Sequence, residues 1–183
     1  MTPVWSPEEL SSHWELAPIL RCLDQAKKSV RVQLLTYKMV GRDKQYFAEL
    51  ENALRRAAAR GVKVQLLVAD WCKRKGTIEG LQALEPLENV EVKLVTIPPA
   101  ASGFIPYARV IHAKYMVVDG MQCWIGTSNW ERDYFYGSRN VGVLVEGARF
   151  AGRLERFFED GWGSPYAAAV DPSARYEPPR IGD

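Results

Sequence analysis

Apolar positions recur along this chain in two periods, one helical and one alternating, and together they locate its elements. Leu16, Ile19, Leu20 and Leu23 fall at helical spacing, and Ser6-Pro7-Glu8-Glu9 upstream offers an N-cap, a proline at the first helical position and acids in the first turn. The pattern predicts a helix from there to about Lys28. Residues 29–37 alternate and then become continuously apolar, as a buried strand does. Gly41-Arg42-Asp43 reads as a loop. Phe47, Leu50, Ala53, Leu54 and Ala57 predict a second helix closed by Gly61, and residues 62–69 a second strand. Residues 30–69 therefore form a β-α-β unit, which implies parallel pairing and a right-handed crossover.

Residues 77–87 predict a short helix and 90–95 a third strand, before a loop marked by Pro98-Pro99 and Gly103. Residues 114–119 and 122–125 read as two strands joined at Asp119-Gly120, a hairpin dipeptide, and 141–145 as another. Phe150, Leu154, Phe157 and Phe158 give an amphipathic closing helix ending at Gly161. From Ser164 the chain carries four prolines, Pro165, Pro172, Pro178 and Pro179, and reads as an extended or loosely packed tail. There is no internal repeat. The expectation is an α/β domain with a mixed, largely parallel sheet flanked by helices: a leader over 1–14, the domain over 15–163 and the tail over 164–183.

Composition narrows the classes. At 183 residues, 47% hydrophobic and 25% charged, the chain is an ordinary soluble globular protein rather than a disordered one. Lys plus Arg (24) less Asp plus Glu (22) leaves +2, which excludes a polyelectrolyte-type nucleic-acid binder but leaves room for a local basic groove. Cys22, Cys72 and Cys123 are far apart with no CxxC, which argues against a disulfide scaffold or zinc knuckle. No apolar run approaches the roughly 18 residues of a membrane span, so no stable membrane insertion is expected. The first seven residues lack the basic and apolar regions of a signal peptide. As written, the chain is expected to be cytoplasmic; as a fragment of a longer secreted or lysosomal-type protein, its compartment would be open.

The candidate chemistry lies between Ile111 and Trp130. His112 and Lys114, two apart, project from the same face of a strand. A near-neutral imidazole beside a fixed ammonium suits attack on an anionic ester, with Lys114 holding phosphoryl oxygens. Gly126-Thr127-Ser128-Asn129 leaves a strand into a tight turn able to offer backbone N–H groups, a hydroxyl and an amide to those oxygens. Singly, each feature has a plain structural reading: a packed histidine, an edge lysine, a turn. Jointly, His112, Lys114, Asp119, Gly126, Thr127 and Asn129 fulfil H-x-K-x4-D-x6-G-[ST]-x-N. Chance would produce that pattern on the order of once in ten million start positions.

On these residues the chain resembles the phospholipase D superfamily over roughly residues 15–165. Ile105-Pro106-Tyr107-Ala108-Arg109-Val110, Gly126-Thr127-Ser128-Asn129-Trp130 and Trp162-Gly163-Ser164-Pro165-Tyr166 look most like the C-terminal half of the animal lysosomal phospholipase-D-like 5′ exonucleases. The resemblance implies that His112 is a nucleophile forming a phosphohistidine, or the acid protonating the leaving group. It implies that Lys114 and Asn129 bind the phosphate with Thr127 close by, and that Asp119 orients a loop or ring without touching substrate. It implies no metal and no cofactor. Some single-motif nucleases of the superfamily orient the histidine with a Glu near the position of Arg139-Asn140; no carboxylate stands there, and Glu146 is the nearest downstream acid.

Family enzymes build their site from two such motifs, because a phosphoenzyme route needs a nucleophile and a differently protonated partner on opposite sides of the phosphorus. The second histidine here, His13, is followed by Trp14-Glu15 and supplies no Lys two residues on; it reads as an exposed residue near a helix start. The chain is thus expected to be a half-site, completed in a homodimer or by the other half of a longer two-motif protein. Trp130, Tyr134, Phe135 and Tyr136 read equally as a stacking platform for single-stranded bases or as packing beneath the turn. Arg109 and Arg139 are the nearest candidates for backbone contacts, with Lys73-Arg74-Lys75 further off. The function expected is a metal-independent phosphodiesterase, foremost a nuclease on single-stranded nucleic acid. The alternatives are a phospholipase or transphosphatidylase on phospholipids, and a catalytically silent half-domain.

Overall fold

Alternating valines and leucines build the centre of the fold, because a strand with apolar residues on both faces must be covered on both. The computed structural model describes residues 1–6 and 14–182, with residues 2–6 described by backbone alone. In chain order the elements are β1 (Thr2–Ser6), α1 (Leu16–Gln25), β2 (Ser29–Leu34), β3 (Tyr37–Lys38), α2 (Glu49–Ala59), β4 (Lys63–Ala69), α3 (Ile78–Leu84), β5 (Val90–Val95), β6 (Tyr115–Val118), β7 (Gln122–Gly126), β8 (Trp130–Glu131), α4 (Arg132–Tyr136), β9 (Asn140–Glu146), α5 (Ala148–Trp162) and β10 (Ala167–Ala169).

Eight strands form one mixed sheet in the order β1-β9-β7-β6-β2-β4-β5-β10, and β3 pairs with β8 apart from it. The β2-β4-β5 set is parallel, as the β-α-β reading requires, and β1, β7, β2, β4 and β5 run one way while β9, β6 and β10 run the other. Val30, Val32, Leu34, Val64, Leu66, Val68, Met116 and Trp124 face the helices α1, α2 and α3 in the larger core. Leu67, Tyr115, Val117 and Cys123 face the other way, onto Ala151 and Phe158 of α5. Each fully buried Val, Leu or Phe stabilises this arrangement by about 1.5–3 kcal/mol relative to exposure. Arg31 of β2 adds a partly buried ion pair to Glu155 of α5.

The elements differ from the sequence reading at both ends. The N-cap predicted at Ser6-Pro7 and the reading of His13 fall largely on residues 7–13, outside the described residues; Ser6 itself ends a strand paired antiparallel with β9, and the helix begins at Leu16. The closing helix does not end at Gly161 but runs through it to Trp162, with Gly163 as its cap. Gly161 packs rather than terminates: a Cβ there would stand 3.1 Å from Leu67 Cδ2. In the tail, Ala167–Ala169 pairs antiparallel with β5, and Val170 and Ile181 are buried.

This topology gathers chain segments at one end of the sheet. The carboxyl ends of the parallel strands β2, β4 and β5 lie there. Because β6 is antiparallel to both neighbours, its start and the end of β7 lie there as well. Residues 112–114 and 126–129 therefore meet beside residues 35–36, in the position where open α/β sheets hold their ligands.

Candidate active site

His112 and Lys114 stand in the extended segment that enters β6, not on the strand itself. The imidazole is exposed and Lys114 is 7% exposed. Lys114 Nζ donates to the carbonyl oxygen of His112 at 2.8 Å and lies 3.4 Å from both ring nitrogens. The ammonium holds His112 below the ordinary histidine range, with partial burial acting in the same direction. Burial also lowers Lys114. At neutral pH the imidazole therefore has a free lone pair, as a nucleophile needs.

The turn is fastened directly to this pair: Gly126 N–H donates to the Lys114 carbonyl at 3.1 Å. A Cβ on Gly126 would meet the Trp124 ring at 2.6 Å, so only glycine fits there. Thr127 Oγ1 donates to Asn140 Oδ1 at 2.9 Å. Ser128 is buried and donates to Glu15 Oε2 at 2.7 Å. Asn129 is 1% exposed; its Oδ1 accepts from Thr36 N at 3.1 Å, and its Nδ2 donates to Tyr134 Oη at 3.1 Å. The backbone N–H groups of Ser128 and Asn129 have no acceptor among the described residues.

Asp119 is not part of this gathering. It lies beyond β6, about 16 Å along the chain from Lys114 at the usual strand rise. Its Oδ1 accepts from the N–H groups of Lys28 and Ser29, and its Oδ2 from that of Lys27, at 2.7–2.9 Å. Burial opposes its ionisation, but these three donors prevail and hold the carboxyl below its ordinary value. Asp119 and Gly120 both adopt positive φ, 54° and 64°, as a tight hairpin requires.

Trp130 and Phe135 are fully buried, and Tyr134 and Tyr136 pack against the larger core. Trp130 and Phe135 thus take the packing position beneath the turn, while Tyr134 and Tyr136 are half-buried beside it. Arg109 is exposed, its Nε donating to the Pro98 carbonyl at 3.0 Å. Glu146 pairs across from Gln122, at the Asp119 end of the sheet, and cannot orient His112. Two acids near the turn carried no motif signal. Glu15 lies under Ser128, and Glu131 accepts from Thr36 Oγ1, its carboxyl raised by burial. Among the described residues, no group of three or more His, Cys, Asp and Glu side chains is gathered. No helix among them is long and apolar enough to cross a membrane.

Comparison with known proteins matches residues 19–162 to the family described as cardiolipin synthase, PLD-like domain. A probable phospholipase D of Caenorhabditis elegans is 32% identical over 170 residues, covering 84% of this chain and 30% of that protein. The 5′-3′ exonuclease PLD3 of Xenopus laevis is 35% identical over 172 residues, covering 84% of this chain and 35% of that protein. The chain thus spans about a third of the length of these curated relatives. Among solved structures, NucT from Helicobacter pylori superposes with a TM-score of 0.73 at 18% identity, covering 92% of this chain and 99% of that one. Nuc from Salmonella typhimurium, a phospholipase D family member, gives 0.70 at 18%, covering 92% and 96%. At that identity the two share the fold.

Proposed function

The chain belongs to the phospholipase D superfamily, and from that premise we propose that it is a metal-independent phosphodiesterase acting on single-stranded nucleic acid through a phosphohistidine. The carrying observation is Lys114, whose ammonium lies 3.4 Å from both nitrogens of an exposed imidazole and whose backbone carbonyl accepts from the N–H of Gly126 in the turn. A neutral His112 nitrogen attacks phosphorus while Lys114 and the Ser128 and Asn129 N–H groups take the charge growing on the phosphoryl oxygens. Asn129 adds the amide hydrogen that Tyr134 does not use. The P–O bond to the leaving group breaks, and that oxygen takes its proton from a second histidine that enters the step as imidazolium and leaves it neutral. Water, deprotonated by the same second histidine, then attacks phosphorus; the P–N bond breaks and His112 is restored.

The second histidine comes from another copy of the motif. His112 is exposed on an open surface, as a residue completed across a twofold axis must be. Its two chemically distinct roles, attack and proton transfer, then fall to His112 of each copy. General acid catalysis of this kind supplies about 10²–10⁴-fold, so one half alone is expected to be nearly inert.

The nucleic-acid reading is supported by the name of the Xenopus laevis relative and by exposed aromatic and cationic side chains on the segments at this end of the sheet. Phe104 and Tyr107, on the segment leading into His112, are exposed, and the Trp71 and Tyr107 rings stand 6.5 Å apart. Lys73, whose Nζ donates to Thr96 Oγ1 just after β5, and Arg109, whose Nε donates to the Pro98 carbonyl, add cations on the segments that follow the parallel strands. A phospholipid substrate is the second reading, favoured by the name of the Caenorhabditis elegans relative. Light scattering on a sizing column tests the assembly: a mass near twice 20.7 kDa is expected, and an inactive monomer would move the second motif to a different chain or segment. Competition between labelled oligonucleotide and phosphatidylcholine vesicles separates the substrates; head-group release without strand cleavage would overturn the nuclease reading.

A further inference from the structure

The turn is held from beneath by an acid that no motif marks. Glu15 immediately precedes α1 and is fully buried, at 0% exposure. Its Oε1 accepts from Trp124 Nε1 at 2.9 Å and its Oε2 from Ser128 Oγ at 2.7 Å. Two glycines make its room: a Cβ on Gly126 would stand 2.8 Å from Oε1, and one on Gly142 2.7 Å from it. Taking a carboxylate out of water is costly unless its oxygens find donors, and an apolar residue could fill the space without that cost. What the acid does, and an apolar residue could not, is fix where the Ser128 hydroxyl proton points.

We propose that Glu15 is a positioning residue of the phosphodiesterase site, acting through Ser128 to hold the Gly126–Asn129 turn; the proposal rests on the reading of that turn as phosphate-binding. Each side chain of the turn is then anchored to a different element: Thr127 to Asn140 of β9, Ser128 to Glu15 at the head of α1, and Asn129 to Thr36 after β2. With all three side chains so held, the Ser128 and Asn129 N–H groups keep one arrangement, ready for phosphoryl oxygens. Donors that need no reorganisation during reaction are what lower a phosphoryl-transfer barrier.

Glu15→Gln exchanges one acceptor for a donor. Trp124 Nε1–H can only donate, so it keeps the amide oxygen, and the amide nitrogen is left facing Ser128. Ser128 must then accept, and its proton is released from the position the carboxylate gave it. The test is a double-mutant cycle on Glu15→Gln and Ser128→Ala, read by oligonucleotide hydrolysis and by affinity for inorganic phosphate, with unfolding temperature followed in parallel. Each single variant is expected to lose about tenfold in both readouts, and the double variant no more than the worse single. Additive losses of about a hundredfold, or unchanged phosphate affinity in Glu15→Gln, would overturn the proposal, as would a Glu15→Gln deficit that vanishes on cooling below its unfolding transition. Should Glu15→Gln fail to fold, Ser128→Ala alone decides: wild-type turnover and phosphate affinity there would refute the positioning role. A wild-type chain that binds phosphate but hydrolyses nothing would count against the functional reading instead, while the phosphate affinities still decide the role of Glu15.

Discussion

Replacing Asp119 by Asn separates a folding role from a catalytic one within a single motif. The carboxylate clamps the three N–H groups of residues 27–29, the link between α1 and β2, at 2.7–2.9 Å. Asn keeps one acceptor oxygen and turns its NH₂ toward Lys27 N–H, so one charge-assisted bond is lost and two are weakened. At about 1.5–3 kcal/mol for a hydrogen bond to a charged group, and with the link partly open to water, the cost is about 2 kcal/mol. Asn tolerates the 54° φ at this position, so no backbone strain is added. For a chain of 183 residues this corresponds to a fall of about 4–8 °C in unfolding temperature at pH 7. Asp119 has a folded value below its unfolded one, so its contribution is present above the unfolded value of about 3.9 and is lost as pH falls through the folded value. The difference between wild type and Asp119→Asn should therefore close in acid. Thermal unfolding by circular dichroism from pH 7 down to pH 3 measures this, with phosphodiester turnover measured well below both transitions. Turnover within about threefold of wild type is expected, because some 16 Å of strand separates Asp119 from Lys114. An unchanged unfolding temperature, or turnover down a hundredfold in folded protein, would refute the reasoning.

Lys114→Gln removes the phosphate cation and the charge that keeps His112 neutral, so turnover should fall about 10²–10³-fold. The acid limb of kcat/KM should also move to higher pH, since wild-type His112 titrates below the ordinary range; an unmoved limb would show that Lys114 does not set it. Gly126→Ala places a Cβ 2.6 Å from the Trp124 ring and 2.8 Å from Glu15 Oε1. Overpacking of that kind costs about 1–3 kcal/mol, and chemical denaturation should register it together with lost turnover; wild-type stability would mean the slot is not closed.

Much of this fold was legible because its central strands are buried on both faces and so carry long apolar runs. The third strand predicted at 90–95 is β5, Val90–Val95, and the Asp119-Gly120 hairpin and the Gly61 helix end, at φ 82°, stand where turn chemistry put them. Edge elements were not legible. Ala167–Ala169 has no alternation and becomes a strand only because the edge of β5 captures it. The two-residue strands β3 and β8 and the five-residue α4 are shorter than any period can reveal. Within the site, spacing found His112 and Lys114 because they are near in sequence. It could not find Glu15, whose partner Ser128 is 113 residues away, and it could not decide whether Trp130 stacked on substrate or packed beneath the turn.

The central claim, that His112 carries phosphodiester cleavage without a metal, is tested most directly by one assay. Wild type and His112→Ala are compared on a 5′-labelled single-stranded oligonucleotide in excess EDTA, across chain concentrations that span dimer formation. Hydrolysis by wild type with a specific rate that rises with concentration is expected, together with a loss of at least about 10³-fold in His112→Ala. Equal cleavage by the variant, or cleavage that chelation abolishes and a divalent cation restores, would contradict the claim.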